Sequence, residues 1–223
     1  MGTIINVGTI IIGGLIGLIF RKRFPERITQ TALQVMGLFT LLVGIQMAIQ
    51  GQKPILILIS LASGAVLGEV IRIEERLDHF GKWIEKRLKV TRESPAKGFI
   101  YSSLVFAVGS MAIVGSIADG VSGDHSILVT KAMMDGIISI PFAAGMGPGV
   151  LGSAVTILLY QGSLTFLARG LQSFFSPEMI TELTAVGGIL VMGIGINILG
   201  LQKIKVANFL PALFVIIGLT IIW

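Results

Sequence analysis

Long apolar runs constrain this chain more than any other feature of its sequence. Each run approaches the ~20 residues that an α-helix needs to cross the hydrocarbon core of a bilayer, and short polar or basic segments separate them. The pattern predicts one all-α domain over residues 1–223, a polytopic transmembrane helical bundle of about eight spans. The predicted spans are 3–20, 30–49, 54–72, 98–118, 127–146, 149–168, 181–200 and 206–223.

The composition agrees with a membrane environment. Only 13% of the 223 residues are charged, whereas a soluble domain carries about 25%. The chain has 29 glycines, which would weaken soluble helices but allow close approach of helix backbones in a bilayer. It has no cysteine, which excludes disulfides and thiolate chemistry.

The distribution of basic residues predicts the orientation. Fourteen of the 17 lysines and arginines lie in the first, third and seventh connections, at 21–27, 72–97 and 203–205. Basic loops stay on the cytoplasmic side, so we expect both termini outside a bacterial cytoplasmic (inner) membrane. The first apolar run precedes its basic cluster, which indicates an uncleaved helix rather than a signal peptide.

The third connection has a helical pattern of its own. Within 73–97, apolar residues recur at steps of three and four with charges between them. This pattern predicts an amphipathic helix and loop lying in the cytoplasmic interface. It could serve as an anchor or solvated extension, or as a regulatory or partner-binding element.

Two distant segments resemble each other. Pro25–Thr29 reads PERIT and Pro177–Thr181 reads PEMIT, and each leads into two glycines and an amide. The following residues are Gly37, Gly44 and Gln46 in the first copy and Gly188, Gly195 and Asn197 in the second. The predicted orientation places one copy inside and the other outside, so spans 1–3 and 6–8 would form an inverted repeat, as in many secondary transporters. A chance match between glycine-rich segments is the alternative.

The fifth predicted span carries both signs of charge. Lys131 and Asp135 are four residues apart and so share one face of the helix. A charge at this depth is costly, about 2.5–3.5 kcal/mol on insertion scales, and commonly marks an ion or substrate pathway. We expect Asp135 to bind an ion or proton with Lys131 as its charge partner; the alternative is a neutralised pair that only fixes packing.

Further polar groups flank this span. Asp119, Asp124 and His125 surround a glycine-containing turn and would form an ordinary external loop or a vestibule. The next connection contains a helix-breaking run, which would be either a tight turn or a broken helix lining a cavity. Its candidate gating residues are Gly145, Gly147, Pro148 and Gly149.

Four amide side chains within other predicted spans are candidate polar contacts. They are Asn6, Gln46, Gln161 and Asn197. Such groups form hydrogen bonds between helices or contact a substrate, and Gln46 and Asn197 occupy equivalent repeat positions.

The sequence lacks the motifs of several classes of functional protein. There is no phosphate-binding Gly-x-x-x-x-Gly-Lys-Ser/Thr loop and no paired-histidine spacing, so an ATP-driven motor and a zinc site are not expected. No serine nucleophile accompanies a histidine at a recognisable spacing. We expect no enzyme activity, cofactor, metal or nucleic acid partner.

Four stretches resemble the YqgA/YdfK-like family of bacterial integral membrane proteins. They are GTIINVGTIIIGGLIG (2–17), GSMAIVGSIADG (109–120), GDHSILVTKAMMDG (123–136) and LLYQGSLT (158–165). Their spacing and the chain length are also similar. The resemblance implies a bacterial membrane location but no activity, because the family is a domain of unknown function.

The sequence as a whole favours transport of a small solute or ion by alternating access. Asp135 and Lys131 would form the central site, Asp119 and Asp124 the external vestibule, and Gln46 with Asn197 symmetry-related contacts. A channel or pore, or a non-transport sensor or scaffold, is the alternative. The small chain with glycine-lined faces could act as a homodimer.

Overall fold

The computed structural model describes residues 1–23, 26–76, 79, 95–107, 110–171 and 173–223. Their regular structure is helical, without a strand in these ranges. The helices are α1 Gly2–Arg23, α2 Glu26–Ala48, α3 Pro54–Ile71, α4 Pro95–Ala107, α5 Ser110–Ser122, α6 Ser126–Met146, α7 Gly149–Phe166, α8 Ala168–Leu171, α9 Pro177–Ile198, a 3₁₀ turn Val206–Phe209 and α10 Pro211–Ile222. The all-α prediction is therefore confirmed.

Fewer helices than predicted meet the length and hydropathy needed to cross a membrane. Within the described residues these are α1, α3, α6, α7 and α9. The pair α4 and α5 would add a sixth span bent by 61°. Leu33–Ala48 and Val206–Ile222 are apolar but shorter. A polytopic membrane protein is thus shown, while the count of eight spans is not confirmed. Most of the predicted amphipathic helix over 73–97 lies outside the described residues.

The chain divides into two compact units. The first comprises Met1–Leu33 and Phe80–Phe174, and the second comprises Gln34–His79 and Phe175–Trp223.

In the first unit, α1 and α6 run parallel in close contact. Glycine makes this possible, because a Cβ on Gly13 would overlap the carbonyl oxygen of Gly136, and one on Gly17 would overlap that of Ile140. Thr9 on α1 donates a hydrogen bond of 2.7 Å to the carbonyl of Ala132. Small residues therefore hold the two backbones together, as is usual between membrane helices.

The bent pair α4 and α5 packs along α7 in the same unit. Ser103 on α4 lies 3.0 Å from Thr156 on α7 through their hydroxyl oxygens. Further along, a Cβ on Gly120 of α5 would lie 2.5 Å from the Ala168 side chain just after α7. Both pairings advance in the same direction, so the bent pair and α7 are parallel.

In the second unit, α2 and α9 pack antiparallel through glycines. A Cβ on Gly44 would lie 2.8 Å from the Gly188 carbonyl oxygen, and one on Gly195 would lie 3.0 Å from that of Gly37. Helix α3 similarly packs against the segment 206–222, where a Cβ on Gly64 would lie 2.6 Å from that of Ala212. The glycines of the repeat are thus interface residues.

Candidate functional site

Helix α6 carries the charged pair at its middle. Asp135 is the tenth of the helix's 21 residues, about 14 Å from its start at 1.5 Å per residue. Lys131 lies one turn earlier, and its Nζ donates to Asp135 Oδ2 at 2.5 Å. Only 6% of Lys131 and 4% of Asp135 are exposed. The predicted pair is therefore formed and buried within the protein.

Two amides from other helices complete this cluster. Asn6 on α1 donates through Nδ2 to Asp135 Oδ2 at 2.9 Å and to Gln161 Oε1 on α7 at 3.0 Å. Both amides are fully buried. Within the described part of the chain, Asn6 Oδ1 and Gln161 Nε2 have no hydrogen-bond partner. We call Asn6, Lys131, Asp135 and Gln161 the central polar cluster.

Buried polar atoms without a partner are costly, about 1–3 kcal/mol each. The central polar cluster therefore retains an acceptor on Asn6 and a donor on Gln161 for a further group. Ser116 on α5 is also fully buried, and its Oγ has no partner among the described residues. Such spare capacity is what a site for a small polar species requires.

A second group lies at the end of the unit where α1 and α6 begin. Asp119 is 7% exposed, and its Oδ2 accepts from the Gly2 backbone nitrogen at 3.1 Å and from the Met1 amino group at 3.2 Å. His125 Nδ1 is in direct contact with the other oxygen, Oδ1. Asp119 and His125, both predicted as vestibule groups, are thus brought together.

Asp124 is placed differently. It is exposed, and its Oδ1 accepts from the Ser126 backbone nitrogen at 2.9 Å and from the Ser126 hydroxyl at 2.6 Å. These hydrogen bonds hold the pKa of the Asp124 carboxyl below its ordinary value. Asp124 therefore fixes the turn that begins α6 rather than joining Asp119.

The structure separates the environments of Gln46 and Asn197. Gln46 is exposed on α2. Asn197 uses its amide to hold the chain after α9, donating to the Ile204 carbonyl and accepting from the Ile204 nitrogen, both at 2.7 Å. Their equivalence in sequence does not extend to equivalent contacts.

The Gly145–Gly149 run forms the turn between α6 and α7. The α6 helix ends at Met146, and Gly147 adopts φ +82°, ψ −162°, a conformation that L side chains rarely adopt. Pro148 then caps α7, which begins at Gly149. Since both helices are long enough to span a bilayer, the run ends a span. The bend within a span occurs between α4 and α5 instead.

Sequence reasoning missed Glu182 on α9. This residue is 0% exposed, and its Oε1 accepts from the backbone nitrogens of Gln52 and Lys53 at 2.8 and 3.1 Å. It thereby caps the start of α3, where a carboxylate is favoured by the helix dipole. Its Oε2 has no partner among the described residues. The available signal was its position within the predicted span 181–200.

A second polar network of this unit joins the end of α3 to the segment before α10. Glu69 accepts from Lys205 Nζ at 2.7 Å and from Asn208 Nδ2 at 2.6 Å. The hydrogen bond to Glu69 raises the pKa of the Lys205 ammonium. Glu74 Oε2 accepts from the Ala207 nitrogen at 3.0 Å. These contacts hold the ends of neighbouring helices together.

These features define a polytopic α-helical membrane protein with a buried, ion-paired polar cluster in one of its units. The chain matches the family described as "Protein of unknown function (DUF554)" over residues 1–221 and belongs to it. It is 36% identical over 218 residues to "Uncharacterized membrane protein YdfK" of Bacillus subtilis (strain 168), covering 96% of this chain and 93% of that protein. It is 28% identical over 229 residues to "Uncharacterized protein YqgA" of Escherichia coli (strain K12), covering 100% and 97%. The resemblance to this family is confirmed, and no solved structure matches the chain.

Proposed function

We propose that this protein transports a small solute or ion across the bacterial cytoplasmic membrane, with Asp135 as the binding carboxylate. The observation that carries the proposal is the buried Asp135 itself. It stands at mid-helix, paired with Lys131 and hydrogen-bonded to Asn6. Ionisable groups in such positions commonly belong to ion or substrate pathways.

A purely structural role explains less of the cluster. Removing both charges and substituting well-packed apolar residues is often neutral or stabilising for a buried pair. Here Asn6 Oδ1 and Gln161 Nε2 lie beside the pair and have no hydrogen-bond partner among the described residues. Burying these two atoms costs folding free energy and gains no contact with a described group. Spare hydrogen-bonding atoms beside a charged pair favour binding over packing alone.

The packing of the repeat glycines supports alternating access. Gly37 and Gly44 correspond in sequence to Gly188 and Gly195. Their contacts are reciprocal, because Gly37 meets Gly195 and Gly44 meets Gly188. A pseudo-two-fold axis between α2 and α9 would exchange these two contacts, as expected of inverted repeats. Repeats of this kind give transporters two related conformations that open on opposite sides.

The helix directions agree with the order of crossings in the proposed topology, and the basic loops are the reason for placing both termini outside. If the chain crosses the membrane once at each predicted span, α1 and α6 must run in the same direction, and α2 and α9 in opposite directions. Both relations are found in the structure. With this orientation Asp119 and His125 lie on the external side of the central polar cluster.

Transport can be tested by reconstitution of the unmodified protein, Asp135→Asn and Asp124→Asn into liposomes. Uptake of alkali cations, protons and small neutral solutes would be measured for each. We expect saturable flux of at least one species that falls about tenfold or more in Asp135→Asn, the effect of losing about 1.4 kcal/mol of binding. Asp124→Asn makes the same charge change at an exposed site and should retain flux. Equal flux of every species in all three proteins would refute the proposal, and flux that does not saturate would indicate a channel.

A further inference from the structure

We propose that the central polar cluster binds a small, uncharged solute that carries an N–H donor beside a carbonyl acceptor, as urea or a primary amide does. The inference rests on the proposed function, in which this cluster is the binding site. It deepens that function by naming the class of solute and the residue, Gln161, that recognises its carbonyl group.

The ion pair fixes which way the two amides of the cluster face. A carboxylate oxygen only accepts hydrogen bonds, so the Asn6 atom that lies 2.9 Å from Asp135 Oδ2 must be the nitrogen. The same nitrogen donates to Gln161 at 3.0 Å, so the Gln161 atom at that point must be the oxygen. The remaining atoms, Asn6 Oδ1 and Gln161 Nε2, are therefore a defined acceptor and a defined donor. Both are buried without a partner among the described residues.

These two atoms are close enough for one small molecule to contact both. The oxygen and nitrogen of an amide group are about 2.3 Å apart, and a hydrogen bond of 3.0 Å joins the two amides. Asn6 Oδ1 and Gln161 Nε2 are therefore separated by at most about 7.6 Å. Urea, with hydrogen bonds of about 2.9 Å at its oxygen and at one nitrogen, can span up to about 8 Å.

Asp135 supplies a second acceptor to such a solute. Both hydrogen bonds that Asp135 accepts from described residues end on Oδ2, so Oδ1 is available to a ligand. The NH₂ group of an amide has two donors, which match the acceptors on Asn6 and Asp135. The carbonyl group of the solute matches the donor on Gln161.

Ser116 adds a hydroxyl group at the same level of the unit. A Cβ on Gly120 of α5 would overlap the Thr165 carbonyl oxygen on the parallel helix α7. One turn earlier on both helices, Ser116 comes level with Gln161. The fully buried Ser116 Oγ has no partner among the described residues, and a carbonyl oxygen can accept from it as well as from Gln161.

The charge of the cluster favours an uncharged solute. The Lys131 ammonium and the Asp135 carboxylate form an ion pair of 2.5 Å whose charges cancel. A charged solute would leave one uncompensated charge in a buried position, which is strongly unfavourable. A neutral amide adds hydrogen bonds and leaves the pair intact.

Hydroxyl groups line the approach to the cluster from the end of the unit that carries Asp119. Thr3 on α1 and Thr165 on α7 lie one turn outside the two amides, and their hydroxyl oxygens are 3.4 Å apart. Among the described residues, a Cβ on Gly162 would meet only the Thr3 methyl group, at 4.0 Å, so α1 and α7 leave space at this level. Such an approach offers hydrogen bonds to a polar solute without a charge to attract an ion.

The class of solute can be tested with urea and guanidinium, which are planar and have the same number of heavy atoms. Guanidinium has a third NH₂ group and a positive charge where urea has its carbonyl oxygen. The unmodified full-length protein in liposomes should take up radioactive urea saturably, and unlabelled acetamide should compete. Radioactive guanidinium should not be taken up, because it is charged and presents a donor to Gln161 Nε2.

Gln161→Glu is the decisive variant, because it puts an acceptor and a negative charge where the unmodified chain has a donor. Uptake of urea should fall about tenfold or more, and uptake of guanidinium should appear. Gln50→Glu makes the same change at an exposed site and should keep the preference for urea. Gln161→Met removes the donor without adding a charge, so it should lose uptake of urea and gain none of guanidinium.

An unmodified protein that takes up neither urea nor acetamide faster than empty liposomes would overturn the inference, and so would a Gln161→Glu protein that still prefers urea. If an alkali cation is taken up instead and its flux is lost in Asp135→Asn, the inference fails while the proposed function stands. If the flux of every species is independent of Asp135, the proposed function itself fails.

Discussion

Gly13 on α1 and Gly136 on α6 bring their backbones so close together that a Cβ on Gly13 would overlap the Gly136 carbonyl oxygen. The nearby hydrogen bond from Asn6 to Asp135 spans the same two helices. Close packing at the glycines is therefore what allows α1 to deliver its amide to the charged pair.

Substitution of Gly13 should disrupt both packing and the site. Gly13→Ala places a methyl group against backbone that cannot move aside, so α1 and α6 must separate. We expect the free energy of unfolding to fall by about 1–3 kcal/mol, which is typical of overpacking. The flux through the reconstituted protein should fall as well. Thermal unfolding in detergent measures the first effect and reconstituted flux the second.

Gly8→Ala provides the matched control on the same helix. A Cβ on Gly8 would meet nothing within 4 Å. The Gly8→Ala protein should therefore be as stable as the unmodified protein or slightly more stable, since alanine favours helix. Equal destabilisation by the two substitutions would contradict the importance of the Gly13 contact.

Removal of the Glu182 carboxylate should destabilise the second unit. Glu182→Ala deletes the acceptor of two backbone N–H groups at the start of α3, and charge-assisted hydrogen bonds contribute about 1.5–3 kcal/mol each. We expect a lower midpoint of thermal unfolding, by an amount equivalent to about 3–6 kcal/mol for the two bonds together.

The comparison for Glu182 is Glu178→Ala, four residues earlier. Glu178 forms an ion pair of 2.6 Å with Lys53, and its side chain is 54% exposed. Exposed pairs contribute about 0–1 kcal/mol, so this variant should unfold close to the unmodified protein. A larger effect at Glu178 would contradict the role assigned to Glu182.

Lowering the pH should remove the contribution that the Asp124 carboxylate makes to the stability of the folded protein. Hydrogen bonds from Ser126 lower the pKa of Asp124 in the folded protein relative to 3.8. Because the folded pKa is below the unfolded one, the stabilisation is fully present above pH ~4 and disappears as the pH falls through the lower folded value. The stability difference between the unmodified protein and Asp124→Ala should shrink over that range in unfolding curves recorded against pH. A difference that grows on acidification would have the wrong sign.

Orientation can be tested by single cysteines, because the native chain has none. Cysteines at Gln50 and Ser122, both exposed, should react with a membrane-impermeant maleimide in intact cells. A cysteine at the exposed Leu201 should react only after permeabilisation. The reverse pattern would place both termini in the cytoplasm.

The sequence alone was sufficient for the class of protein and for the Lys131–Asp135 pair of the candidate site. Long apolar runs require helices in a bilayer, because backbone groups there must be satisfied internally. Lys131 and Asp135 could be paired because helical periodicity brings residues four apart onto one face. Both deductions depend on local spacing, which a sequence displays directly.

The rest depended on which distant helices meet, and this only the tertiary structure decided. Asn6 is 129 residues from Asp135 and 155 from Gln161, and helical periodicity does not specify such contacts. The amphipathic pattern of a membrane helix is also weak, since lipid and protein interior are both apolar. Gln46 and Asn197 occupy equivalent repeat positions in the sequence, yet Gln46 is exposed and Asn197 holds the chain after α9. Nothing in the local pattern around Glu182 indicates that its carboxylate contacts the start of α3, which is a contact that only the structure shows.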